Sequence, residues 1–184
     1  MQSQIDDLYL YIEEIKAGGH NMLGRVSFED STINGSITDE KLYGENVYLI
    51  EQEPYMQSPF ITYEFNEQLK GGVPYVLSFY SKSEEIGGFM KVMVASLDDE
   101  PLSIQNIELS VDQWGQSYGE IYIDDDIDGF KLRLAFVEAS NIYISCLKLQ
   151  VGNIPTAGFE ATSVDIDNLQ KQIDSGRTVA DNAQ

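Results

Sequence analysis

The residues best equipped to hold a ligand in this chain are aromatic. Trp114, Tyr118, Tyr55, Tyr43 and Tyr48 fall in or beside turn-rich stretches, close in sequence to Asp112, Gln113, Gln116, Glu45 and Gln57. Indole and phenol rings stack on the C–H faces of sugar rings, while nearby carboxylates and amides hold hydroxyls. The same side chains have a plainer use. Trp114 can plug the end of a β-sandwich, and the tyrosines can cover its edges. The sequence leaves both uses open.

A second cluster is acidic. Asp124-Asp125-Asp126-Ile127-Asp128-Gly129 reads D-x-D-x-D-G, the first half of a helix-flanked calcium loop. The position of the closing bidentate Glu is Ala135, inside a strand pattern, and the loop joins two strands, which excludes that motif. Two readings stand. One is a solvated hairpin turn. The other is a looser Ca²⁺ site on Asp124, Asp126 and Asp128, where the cation would relieve repulsion among clustered carboxylates. Asp98-Asp99-Glu100-Pro101 reads as an acidic turn.

Other chemistry is scarce. There is one cysteine, Cys146, and one histidine, His20. They exclude a disulfide framework and a zinc cluster within one chain. Cys146 lies in an apolar strand pattern and reads as a buried structural thiol. His20 follows Gly18-Gly19 and reads as a solvated turn residue. No G-x-S-x-G, phosphate-binding loop or histidine cluster occurs. The chain is expected to be no enzyme.

The elements that must position these residues are strands. The chain has 184 residues, enough for one domain with a substantial core. Eleven Tyr, eight Phe and one Trp favour β structure. Short apolar or alternating runs at 46–50, 60–65, 75–80, 91–97, 104–109, 118–123, 130–136 and 142–151 are separated by Gly, Asp, Asn, Ser or Pro. Eight or more such runs predict an all-β fold, a two-sheet antiparallel sandwich. No strand–helix–strand rhythm appears, which argues against an α/β nucleotide fold.

Helical spacing appears only at the two ends. Ile5, Leu8, Ile12 and Ile15 are spaced three, four, three over residues 2–16, a heptad seam whose apolar choices favour trimers. The alternative is an amphipathic helix packed on its own domain, since two heptads do not stand alone in water. After Gly152, Ser163 is placed to cap a second helix in which Ile166, Leu169 and Ile173 repeat the spacing. The expected organisation is therefore a helix at 1–17, a β-sandwich at 18–160, and a helix or linker at 161–184. This flanking of one β module is expected of a piece of a longer fibrous protein.

Charge narrows the partners. Thirty-one acidic and 11 basic residues give a formal charge of −20. Nucleic acid and anionic membrane surfaces both demand a basic face, so neither is an expected partner. Hydrophobic residues at 42% are too many for a disordered acidic tail. No apolar run approaches a membrane span.

Residues 20–160 resemble a known family. The opening Asn21-Met22-Leu23 with Phe28-Glu29, the strand Gly72-Val73-Pro74-Tyr75-Val76-Leu77-Ser78-Phe79-Tyr80, Trp114 followed by Tyr118, and the ending Leu147-Lys148-Leu149-Gln150-Val151-Gly152-Asn153 with Thr156 and Phe159 carry the likeness. In that order they are similar to the carbohydrate-binding-module-like jelly rolls of bacteriophage tail-fibre and baseplate proteins. Two departures stand out: no Trp in residues 31–38, and Phe159 where the family has Trp. The resemblance implies a jelly roll in a virion protein that binds host cell-surface polysaccharide. It also implies a homotrimer joined to other tail or baseplate proteins. The alternative within the same family is a structural spacer or trimerisation domain that binds no sugar.

Overall fold

Strands with apolar residues two apart bury one face each, and two such sheets close a core between them. The computed structural model describes Asp6 and residues 21–155 and contains this arrangement. The strands are β1 (Gly35–Leu42), β2 (Glu45–Ile50), β3 (Ile61–Leu69), β4 (Tyr75–Lys82), β5 (Phe89–Ala95), β6 (Pro101–Glu108), β7 (Gly115–Ile121), β8 (Ile127–Val137) and β9 (Ile142–Val151). One sheet has the order β1-β2-β9-β4-β7 and the other β3-β8-β5-β6. Paired strands are antiparallel throughout. From β3 onwards the chain crosses repeatedly between sheets, as in a jelly roll. The expected all-β sandwich is therefore what forms. The terminal helices and the seam Ile5, Leu8, Ile12 and Ile15, like His20 and Phe159, lie outside the described residues.

The core is filled by alternate residues. Tyr75, Leu77 and Phe79 of β4 face Met90, Val92 and Val94 of β5 and Phe130, Leu132, Leu134 and Phe136 of β8 within one buried cluster. Phe28 sits at the centre of an aromatic group, its ring edge-on to Tyr48 at 5.7 Å and to Phe136 at 6.2 Å. Tyr48 is thus a core residue, 7% exposed, and not a loop aromatic available to ligand.

Strand β9 shows how one residue reverses a pattern. Ile142 and Ile144 face the core, and unbroken alternation would send Cys146 and Lys148 in after them. Cys146 instead adopts φ 57°, and the pairing with β4 shifts between Ser78 and Tyr80. This bulge exchanges the faces, so Leu147 and Leu149 enter the core and Lys148 turns to the outer side. Asn21 holds the β9 edge from outside: its Oδ1 accepts from Leu23 N and Leu149 N, both at 3.1 Å, and its Nδ2 donates to Leu147 O at 3.3 Å. The opening Asn of the family-like motif is a structural clasp.

Strand β1 was not among the expected elements. Its sequence GSITDEKL has only Ile37 and Leu42 as apolar residues, and its positions are exposed or half-exposed. It forms because it is the edge partner of β2, and an edge strand can be polar.

Candidate functional site

The outer face of the five-stranded sheet collects the aromatic residues. Because β4, β7 and β9 pair in register, one row of side chains crosses the sheet near the end of β4. Lys82 pairs with Tyr143, and Ser81 pairs with Gly115, the residue after Trp114. The Lys82 ammonium lies 4.8 Å from the Tyr143 ring centre and 5.5 Å from that of Trp114, within cation–π range of both. Two aromatic rings are thus bridged by one cation at the rim of the sheet.

The loops around this row are fixed by main-chain bonds. Ser83 N donates to Ser110 O at 2.8 Å, and Asp112 N donates back to Ser83 O at 2.9 Å. This carries β4 one step further along the 110–112 segment and sets Trp114 beside Lys82. A Cβ at Gly115 would sit 2.3 Å from Ser110 Oγ and would push that hydroxyl aside. Asp112 has φ 62° and Asn141 φ 47°, left-handed conformations that Asp and Asn tolerate better than most residues. Asn141 Nδ2 donates to Glu84 Oε2 at 3.0 Å. Lys82, Ser83, Glu84, Asp112, Asn141 and Tyr143 line a hollow of about 290 Å³. That is at the small end of ligand pockets. Its groups suit a polyhydroxylated ring: the Tyr143 ring for C–H, carboxylates to accept from hydroxyls, an amide and an ammonium to donate.

The structure distributes the four expected sugar-binding residues unevenly. Trp114 is half-buried beside Lys82 and lies outside the buried core cluster. Tyr118, 57% exposed, points from β7 on the same outer face, paired with Ser78. Tyr43, 61% exposed, stands in the β1–β2 turn with its ring 5.1 Å from that of Tyr80. Tyr55, 85% exposed, lies apart on the β2–β3 connection. Tyr143, Tyr80 and Lys82 were not among the expected site residues. The signal for Tyr143 was its alternation with Ile142 and Ile144, which points it away from the core.

The acidic turn does not gather ligands. Asp124 and Asp126 lie between β7 and β8, and Asp128 is already within β8. Asp126 Oδ1 accepts from Gly71 N at 2.8 Å, and Asp128 Oδ1 accepts from Gln68 Nε2 at 3.1 Å. Among the described residues no three acidic, histidine or cysteine side chains converge as metal ligands. Of the three carboxylates expected for a looser Ca²⁺ site, Asp126 braces the neighbouring Gly71 turn and Asp128 braces β3.

Titration marks structure more than chemistry. Burial, with the nearby Asp30 and Tyr48, raises the Tyr63 phenol well above its ordinary value. Its hydroxyl donates to Ser27 O. Burial raises the Cys146 thiol, although a hydrogen bond with Ser145 pulls the other way. The bond from Lys131, with the charges of Lys131 and Arg133, holds Asp99 below the usual carboxylate range against an opposing desolvation.

No protein-family profile and no curated protein matches the chain. Solved structures similar to it include carbohydrate-binding modules. The CBM22-1 xylan-binding domain of Paenibacillus barcinonensis Xyn10C is 12% identical over 74% of this chain and 94% of its own, with a TM-score of 0.43. An arabinose-bound MgGH51 α-L-arabinofuranosidase is 12% identical, with a TM-score of 0.47. The enzymatically active domain of bacteriophage CBA120 tailspike protein 4 is 8% identical, with a TM-score of 0.48. The match covers 66% of this chain and 22% of the arabinofuranosidase, and 64% of this chain and 18% of the tailspike.

Proposed function

We propose that this chain is a non-catalytic carbohydrate-binding module that holds a neutral glycan on the Trp114–Lys82–Tyr143 row. The observation that carries the reading is that row itself, two rings bridged by a cation and edged by Glu84, Asp112 and Asn141. A chain of charge −20 disfavours anionic polymers. The sequence resemblance extends the proposal to a virion protein of a phage tail fibre or baseplate, with host surface polysaccharide as target. The seam Ile5, Leu8, Ile12 and Ile15 would then hold a homotrimer.

A second reading is a structural spacer. It is favoured by the centre of the same face, where Val76, Ser78, Lys148 and Gln150 are at most 2% exposed. Only the rim would be left for a ligand. Screening the labelled protein against neutral bacterial surface polysaccharides separates the two. Saturable binding abolished by Tyr143→Ala, in a variant with unchanged circular dichroism, supports the module. No saturable binding to any neutral glycan by the folded protein refutes it in favour of the spacer. A monomeric mass in sedimentation at high concentration refutes the trimer.

A further inference from the structure

The outer side of the five-stranded sheet is covered along its middle. Val76, Ser78 and Lys148 are 0% exposed and Gln150 is 2% exposed. They form neighbouring pairs on β4 and β9, Val76 with Gln150 and Ser78 with Lys148. Val47 of β2 precedes the core residue Tyr48, so alternation turns it to the same side, and it is also fully buried. Neither Val47 nor Val76 belongs to the cluster between the sheets. Among the described residues no third layer of strands lies over this side. The cover stops at β7, where Tyr118 and Glu120, the partners of Ser78 and Val76, are exposed. The covered strip therefore runs from β2 across β9 to β4, a width of about 10 Å, which is the diameter of one helix.

The chain itself leads to this strip. Asn21 is bonded to Leu147 and Leu149, the two neighbours of Lys148, and Met22 N donates to Leu149 O at 2.8 Å. The segment before Asn21 thus starts at the edge of the strip. Its heptad spacing predicts a helix over 2–16, about 22 Å long, while the eight residues of β4 span about 26 Å. Gly18-Gly19 allows the reversal between helix and clasp. Charge agrees with length. A lysine is almost never fully buried unless acceptors surround its ammonium. The segment carries Asp6, Asp7, Glu13 and Glu14 beside its apolar seam.

We propose that residues 1–20 fold back on their own sandwich and cover this strip. The seam Ile5, Leu8, Ile12 and Ile15 packs on Val47, Val76 and Ser78, and a carboxylate of the same segment turns to Lys148. The inference goes beyond the glycan reading and does not rest on it. Under it, the rim at Trp114, Lys82 and Tyr143 is the part of this side left open to a ligand. The trimer drawn from the resemblance is the competing use of the same seam, and the test separates the two.

The test is NMR of the full chain with ¹³C-labelled Ile and Val methyls, assigned through Val76→Ile and Ile12→Leu. The expected result is nuclear Overhauser contacts from the Val76 methyls to Ile methyls within residues 5–15. Labelled and unlabelled chains are then unfolded and refolded together. The isotope-filtered spectrum of that mixture, which reports contacts between copies alone, should be empty. In Ile12→Asp with unchanged circular dichroism, Lys148 should react with acetic anhydride as fast as the exposed Lys70, against protection in the parent chain. No contact between Val76 and these Ile methyls overturns the proposal. Contacts to Ile166 or Ile173 instead overturn it in favour of the C-terminal segment. Contacts in the filtered spectrum overturn it in favour of a neighbouring copy. A protected Lys148 in the folded Ile12→Asp variant also overturns it.

Discussion

Replacing Trp114 with Ala separates ligand platform from structural plug. Deleting a fully buried aromatic side chain costs about 3–5 kcal/mol. Trp114 lies outside the buried core, half-buried at the start of β7, with Lys82 over its ring. Half of a core aromatic's cost is about 1.5–2.5 kcal/mol, of which the cation–π contact supplies about 0.5–1 kcal/mol. Urea unfolding followed by far-ultraviolet circular dichroism should therefore show a lower midpoint with an unchanged slope, because the surface exposed on unfolding hardly changes. Glycan binding measured on the same sample should vanish while the protein remains folded. A loss above about 3 kcal/mol would put Trp114 among the core residues and refute the argument. Full affinity in the folded variant would refute its role as a platform.

Other perturbations follow from the same geometry. The folded-state pKa of Tyr63 is raised, so its stabilising contribution is complete below the unfolded value of about 10 and declines as pH rises beyond it. Tyr63→Phe should flatten the fall in stability above about pH 10 and cost about 1 kcal/mol at neutral pH, read from urea midpoints. Cys146 is buried with a raised pKa, so a colourless-to-yellow disulfide reagent at pH 8 should react slowly with the native protein and quickly in denaturant; equal rates would refute its burial. Gly71→Ala brings a Cβ to 2.3 Å from Asp124 O, and should cost about 1–3 kcal/mol by thermal denaturation. Ca²⁺ or a chelator should leave the melting temperature unchanged, since the Asp124–Asp128 turn gathers no ligand set.

Much of this molecule was legible in its sequence. Among the described residues, eight of the nine strands carry apolar alternation or apolar runs between turn residues, and that period dictates a two-sheet sandwich because each strand must bury one face. The burial of Cys146 followed from the apolar run around it, and Trp114 was expected beside a strand start, where it lies; Tyr118, expected beside a loop, stands in the middle of β7.

The rest needed the third dimension. Strand β1 has too few apolar residues to announce itself, and it exists through its pairing with β2. The bulge at Cys146 reverses the faces of β9, and nothing in the run Ile144-Ser145-Cys146-Leu147-Lys148-Leu149 marks which residue is the extra one. The row joins Lys82 on β4 and Tyr143 on β9 to Trp114, the residue before β7, and only the register of β4 with β7 and β9 makes them neighbours. The D-x-D-x-D-G string had the spacing of a calcium loop, but spacing is a backbone count. Whether carboxylates converge depends on how the turn folds, and here Gly71 and Gln68 engage two of them. Sequence periodicity determined which residues face inwards, because burial is a local requirement of each strand. Which outward residues stand together was decided by strand register, a property of pairs of segments far apart in the chain.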